Sequence, residues 1–98
     1  MIEKTVPEGA ARGEVDGRTD EDLLAGFLGG NERCFAEIMQ RYRVRVKRVV
    51  SRLVGYDDDL AEEIAQEAFV KLFTSGDSFR GDGTLRGWLF TVAVRLAL

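Results

Sequence analysis

The stretch ERCFAEIMQRYRVRVKRVVSRLV, residues 32–54, decides how the rest of the chain is read. Phe35, Ile38, Met39, Tyr42, Val46, Val49, Val50 and Leu53 recur at helical steps, which describe one face of a helix and not the alternation of a strand. Gly55 follows as a natural left-handed stop, so the spacing predicts a helix over about residues 32–54. On that helix Arg41, Arg45, Arg48 and Arg52 fall in a narrow stripe about 16 Å long, at ~1.5 Å of rise per residue. Arg43 and Lys47 occupy the opposite flank. A row of guanidinium groups can follow a phosphate backbone, each contact strengthening binding by counterion release, although it cannot read sequence. The alternative is a solvated face whose long stems cover the core.

Working outward, Thr19-Asp20-Glu21-Asp22 resembles a capping box that opens an earlier helix. Leu23, Leu24, Phe27 and Leu28 give that helix its apolar face, and Gly29-Gly30 ends it. Asp57-Asp58-Asp59 places negative charge where the dipole of a third helix favours it. The expected buried stripe of that helix is Leu60, Ile64, Ala68 and Leu72, with Phe69 and Phe73 at its edge. Glu63, Gln66 and Glu67 share another face with Asp59 and Val70, and Glu67 and Lys71 stand at i, i+4 spacing. Acidic groups beside exposed apolar ones suit a basic partner helix; ordinary solvation is the alternative.

A turn-rich loop, Ser75-Gly76-Asp77-Ser78-Phe79-Arg80-Gly81-Asp82-Gly83, leads to a fourth helix from about Thr84. Gly81-Asp82-Gly83 permits positive φ and close approach of backbone to a ligand, such as a base turned out of a single strand; a plain connector is the other reading. In the fourth helix Leu85, Trp88, Leu89, Val92 and Leu96 form a core stripe, while Phe90, Val94 and Leu98 are apolar elsewhere. Trp88 reads as core and not as a stacking platform. No segment alternates as a strand, and the expected fold is all-α, a small bundle of about four helices over residues 19–98. Residues 1–18, with Pro7, Gly9, Gly13 and Gly17 and no apolar period, read as a flexible N-terminal tail.

The 98 residues allow one domain. The net charge of −3 hides a polar layout: the second helix is strongly basic and the third strongly acidic, so the two surfaces should meet different partners. There is no His and a single Cys, Cys34, which excludes a His-based triad, a Cys/His zinc site and an intrachain disulfide. No catalytic residue, metal ligand or cofactor is expected, and no apolar run reaches the ~20 residues of a membrane span. The unpaired Cys and the lack of a secretory signal fit a reducing cytoplasm.

Taken in order, Asp20-Glu21-Asp22-Leu23-Leu24, Asn31-Glu32-Arg33-Cys34-Phe35-Ala36-Glu37-Ile38, Tyr42, Ala65-Gln66-Glu67-Ala68-Phe69-Val70-Lys71-Leu72-Phe73 and Phe79-Arg80-Gly81-Asp82-Gly83-Thr84-Leu85-Arg86-Gly87-Trp88-Leu89 resemble the amino-terminal, region 2 domain of bacterial extracytoplasmic-function sigma factors. The resemblance covers about residues 20–98. It implies a transcription-initiation factor domain that docks on the RNA polymerase core and recognises and helps melt the promoter minus-ten element. In the family the acidic helix binds the coiled coil of the β′ subunit, a role that falls here to Glu63, Gln66 and Glu67, with Phe69 and Val70 nearby. The loop that accepts a flipped non-template base corresponds to Ser78, Phe79, Arg80, Gly81, Asp82 and Gly83. The last helix makes Arg86, Thr91 and Arg95 candidates for DNA contact. Arg41, Arg45, Arg48 and Arg52 are assigned to the DNA backbone from the helical wheel alone. An anti-sigma factor is a further partner that the resemblance implies.

Two departures stand out. Where the family continues with an Ala-Arg-Asn run, this chain reads Ala93-Val94-Arg95, which removes half of a hydrogen-bonding pair. The expected carboxy-terminal sigma domain is also absent from the 98 residues. Both support an alternative: a sigma-like interaction module that binds polymerase or a regulator without reading promoter sequence.

Overall fold

The structure is a computed structural model that describes residues 15, 17–76 and 83–98. Four α-helices follow one another among residues 17–76 and 83–98: α1 (Asp20–Leu28), α2 (Glu32–Leu53), α3 (Asp58–Ser75) and α4 (Leu85–Ala97). Among the described residues there is no strand, and the all-α expectation is met. No helix among them is long and apolar enough to cross a membrane.

Each helix starts where a short polar side chain can take up an orphan backbone N–H. The Thr19 hydroxyl accepts from Asp22 N–H at 3.1 Å, and Asn31 Oδ1 accepts from Arg33 N–H at 3.0 Å. Asp57 Oδ1 accepts from Leu60 N–H at 3.1 Å, and Thr84 Oγ1 accepts from Gly87 N–H at 2.9 Å. The long helix α2 ends at Val54, and Gly55 then turns the chain with φ of 69°.

Helix α2 is the spine: it packs against α1, α3 and α4. Cys34, Ile38, Tyr42, Val46 and Val50 form its buried row, at steps of four that hold one line along the helix. Leu23 and Leu24 of α1, and Leu85, Leu89 and Ala93 of α4, close over this row. Phe27, Phe35 and Phe73 bring α1, α2 and α3 together, with ring centroids 5.0–5.5 Å apart.

Two expectations need correction. The buried row of α3 is Ala61, Ala65, Ala68, Phe69 and Leu72, whereas Leu60 is exposed and Ile64 is partly buried. Three alanines at i, i+4 and i+7 let the helix axes approach closely, so small side chains take the inward face from larger ones. Phe69, expected at the edge, is only 3% exposed.

The second correction concerns the end of the expected tail. Val15 is buried in the core, and the Arg18 guanidinium donates to Cys34 Sγ at 3.6 Å. Cys34 in turn lies so close under Gly26 that a Cβ there would meet its sulfur at 2.5 Å. Residues 1–14 and 16 lie outside the described residues.

Candidate functional site

The arginine stripe of α2 divides into two parts once its neighbours are seen. Arg41 turns toward α1: its Nε donates to Glu37 at 2.9 Å and its Nη1 to Asp20 at 3.2 Å. The Tyr42 hydroxyl donates to the other oxygen of Asp20. Burial opposes the Arg41 charge, but the hydrogen bonds to Glu37 and Asp20 outweigh it and hold its pKa above the usual arginine value. Burial, reinforced by Asp20, likewise raises the Tyr42 phenol. Arg41 is thus a clamp between α1 and α2, which argues against the DNA contact expected for it.

Arg45, Arg48 and Arg52 remain exposed on α2. The Arg45 guanidinium stands 5.2 Å over the Tyr42 ring, Tyr42 meets Phe90 of α4 edge-on at 6.2 Å, and Arg86 stands 5.9 Å over Phe90. Cation–π stacking therefore carries the basic surface of α2 across to α4 without a break. It also explains Phe90, which is apolar off the core stripe because it bridges the two helices. Thr91 and Arg95 are exposed on α4, while Val94 is partly buried. Trp88 is half-buried and packs against the core.

On its other flank α2 meets the acidic helix. Lys47 Nζ bridges Asp58 at 3.0 Å and Glu62 at 3.3 Å, and Gln66 donates to Glu62 at 3.0 Å. Hydrogen bonds from Gln66 and Lys47 lower the Glu62 carboxyl below its ordinary value, and the bonds that Lys47 donates to Asp58 and Glu62 raise Lys47. Glu63 and Glu67 stay exposed, and Glu67 makes no ion pair with Lys71, contrary to the spacing.

Between α2 and α3 runs a groove of about 720 Å³. Phe35, Met39, Val44, Phe69, Val70 and Phe73 supply its apolar walls, and Arg43, Lys47, Glu62 and Gln66 its polar rim. Val70 is 52% exposed beside it, whereas Phe69 forms part of its floor. The structure thus brings Gln66, Phe69 and Val70 together on this groove. Nothing in the hydrophobic period of α3 singled it out, because the groove needs the α2 residues Met39 and Val44 as its other wall.

Of the loop expected to hold a base, Ser78, Phe79, Arg80, Gly81 and Asp82 lie outside the described residues. Gly83 is exposed, with φ of 94°, immediately before the Thr84 cap. Positive φ there is easy for glycine. Among the described residues no cluster of His, Cys, Asp or Glu could hold a metal ion.

The sequence was compared with known proteins. Residues 38–98 match the family model described as Sigma-70 region 2. Over 79 residues the chain is 37% identical to the ECF RNA polymerase sigma-E factor of Escherichia coli (strain K12), covering 81% of this chain and 40% of that protein. It is 35% identical to the protein of the same description in Salmonella typhimurium (strain LT2) and 32% identical to that of Haemophilus influenzae, covering 81% of this chain each time and 40% and 41% of those proteins. The chain therefore spans about 40% of the length of the curated relatives it matches. The matched region includes most of α2 and all of α3 and α4, the helices that carry the basic surface, the acidic face and the groove, and the chain belongs to the sigma-70 region 2 family, as a domain of the extracytoplasmic-function type.

Proposed function

We propose that this domain acts in transcription initiation by holding RNA polymerase with α3 and promoter DNA with α2, α4 and the loop between α3 and α4. The observation that carries the reading is the division of charge about α2. One flank meets acidic α3 and its groove, and the other continues through Tyr42 and Phe90 into basic α4. A factor that bridges a protein and a polyanion needs two such faces, since a single mixed surface would serve neither partner well.

On the polymerase side, Glu63 and Glu67 offer exposed carboxylates, and Val70 and the groove offer apolar surface to a helix of the β′ coiled coil. Phe69 supports that surface from below. An anti-sigma factor that covers the same face would exclude polymerase. On the DNA side, Arg45, Arg48 and Arg52 neutralise phosphates, and Arg86, Thr91 and Arg95 face the strand along α4. Residues 78–83 receive an unpaired base of the minus-ten element. The role is one of binding, and no bond-making step is asked of the chain.

The test is charge reversal on α3. Glu63→Lys with Glu67→Lys should lower affinity for a β′ coiled-coil fragment at least tenfold while leaving the circular dichroism spectrum unchanged, because neither residue is paired or buried. Unchanged affinity would remove the acidic face from the interface. A second reading, a module that binds polymerase or a regulator without reading promoter sequence, is favoured by one observation: Val94 stands in α4 where the resemblance implies Arg. Strong coiled-coil binding with equal affinity for minus-ten and scrambled strands would select it.

A further inference from the structure

Beyond Gly55 the chain does something costly. Tyr56 follows in the left-handed region as well, with φ of 64°, the one non-glycine residue with positive φ among the described residues. A bulky aromatic side chain is disfavoured there, where Gly or Asn is the usual choice. The conformation is held by Tyr56 N–H donating to Ser51 C=O at 2.8 Å, a closing bond of the Schellman type. The ring gains no burial in return: Tyr56 is 72% exposed. Backbone strain that fixes an exposed aromatic ring at the surface directs attention to what the ring could bind.

Its surroundings define the ligand chemistry. Tyr56, Arg48 and Arg52 line one open hollow of about 570 Å³, together with Val44, Lys47, Ser51 and Asp58. Asp58, the one carboxylate in the hollow, is engaged by Lys47 at 3.0 Å, which Glu62 shares, so its charge is partly offset while Arg48 and Arg52 leave the hollow net positive. Arg48 and Arg52 have no ion-pair partner among the described residues. Two unpaired guanidinium groups beside a flat exposed ring are the components of a single-strand site, with phosphates on the arginines and a base on the ring. The hollow is also in line with the proposed DNA surface. Arg45 to Arg52 spans roughly 10 Å of helix, about three phosphates at ~3.4 Å of axis per strand. Tyr56 stands just beyond, at the end of that row.

We infer that Tyr56, with Arg48 and Arg52, forms a stacking platform for an unpaired nucleotide of single-stranded nucleic acid, without sequence preference and separate from the loop and α4. The inference rests on the proposed reading that the basic face of α2 follows a nucleic-acid backbone. It adds a second contact point at the far end of that helix. The platform would hold a displaced strand in place while the loop and α4 discriminate bases.

The experiment uses the full 98-residue chain and single strands that carry one 2-aminopurine, in minus-ten and scrambled sequence, with the matching duplexes. Tyr56→Ala should weaken both single strands about tenfold, the loss of one stacked base, and abolish a change in 2-aminopurine fluorescence that Tyr56→Phe retains. Duplex affinity should depend on Arg48 and Arg52 but not on Tyr56. Tyr56→Asn should lose single-strand affinity while its Tm equals or exceeds that of the parent, since Asn accepts the left-handed backbone. A purely structural role for Tyr56 moves Tm and affinity down together, and that result overturns the platform. So does wild-type single-strand affinity in Tyr56→Ala. If the parent shows no preference between minus-ten and scrambled strands while the Tyr56 effect persists, promoter reading fails and the platform stands. Preference without a Tyr56 effect gives the converse.

Discussion

Arginines of one helical stripe should behave differently when removed. Arg41 makes hydrogen bonds to Glu37 at 2.9 Å and to Asp20 at 3.2 Å, with all three side chains no more than 23% exposed. That burial is deep enough for the pairs to escape much of the solvent screening that makes surface ion pairs nearly neutral. Charge-assisted bonds of this kind are worth about 1.5–3 kcal/mol each before the remaining partners readjust. Asp20 keeps the Tyr42 hydroxyl, so a net loss of about 2 kcal/mol is expected for Arg41→Ala. For a domain of this size that corresponds to a fall in Tm of roughly 8–16 °C. Arg48→Ala and Arg52→Ala remove exposed groups and should cost about 1 kcal/mol or less. Their effect belongs to binding: removing one phosphate-neutralising arginine should flatten the slope of log K against log salt by about 0.7–0.9. Thermal melts and salt-dependent anisotropy on the three variants separate these outcomes. A stable Arg41→Ala with a flattened salt slope would refute the division of the stripe, as would an Arg48→Ala that melts as early as Arg41→Ala.

Gly26→Ala should destabilise the domain despite the gain in helix propensity of about 1 kcal/mol, because overpacking against Cys34 Sγ at 2.5 Å costs about 1–3 kcal/mol. In a Cys34→Ala background the remaining contacts are Arg18 Nη1 at 3.2 Å, the far end of a flexible side chain, and the Cβ at 3.6 Å, so the same substitution should stabilise; a denaturant-unfolding double-mutant cycle checks the change of sign. Tyr42 predicts alkaline sensitivity. Burial and then Asp20 raise its phenol above 10.0, so the stability it contributes is whole below pH 10 and lost as pH rises through the higher folded value. Tyr42→Phe should be less stable near neutrality, where the Asp20 bond is missing, yet lose less on going from pH 9 to pH 11. Urea midpoints across that range measure it, and parallel curves for the two proteins would contradict the assignment.

The helices were legible because their signals are local. Thr19, Asn31, Asp57 and Thr84 take up backbone N–H groups at the starts, Gly29 and Gly55 mark stops, and α2 shows a strong apolar period. The facing of α3 was less legible: Ala68 and Leu72 are buried as expected, but reading by size favoured Leu60 and Ile64 over Ala61 and Ala65, which complete the small-residue row that allows close approach to its neighbours. The same bias missed Cys34, which is wholly buried. At the candidate site, Glu63, Glu67, Arg45, Arg48 and Arg52 were recognisable from helical spacing, because exposure on one face needs no partner. What spacing could not reveal was pairing between elements. Asp20 drawing Arg41 away from the surface, Lys47 spanning to Asp58 and Glu62, and Phe90 bridging to Tyr42 all depend on how the helices pack. Tyr56 escaped notice because its meaning lies in a backbone angle.

In the proposed function one small domain presents a protein-binding face and a strand-reading face at the same time. Its most direct test is fluorescence anisotropy of the full chain with labelled non-template minus-ten strands and scrambled controls, at two salt concentrations, with and without the β′ coiled-coil fragment. Selective binding of the minus-ten strand that tightens when the coiled coil is present is the expected result. Equal affinity for both strands, with or without the coiled coil, would contradict it.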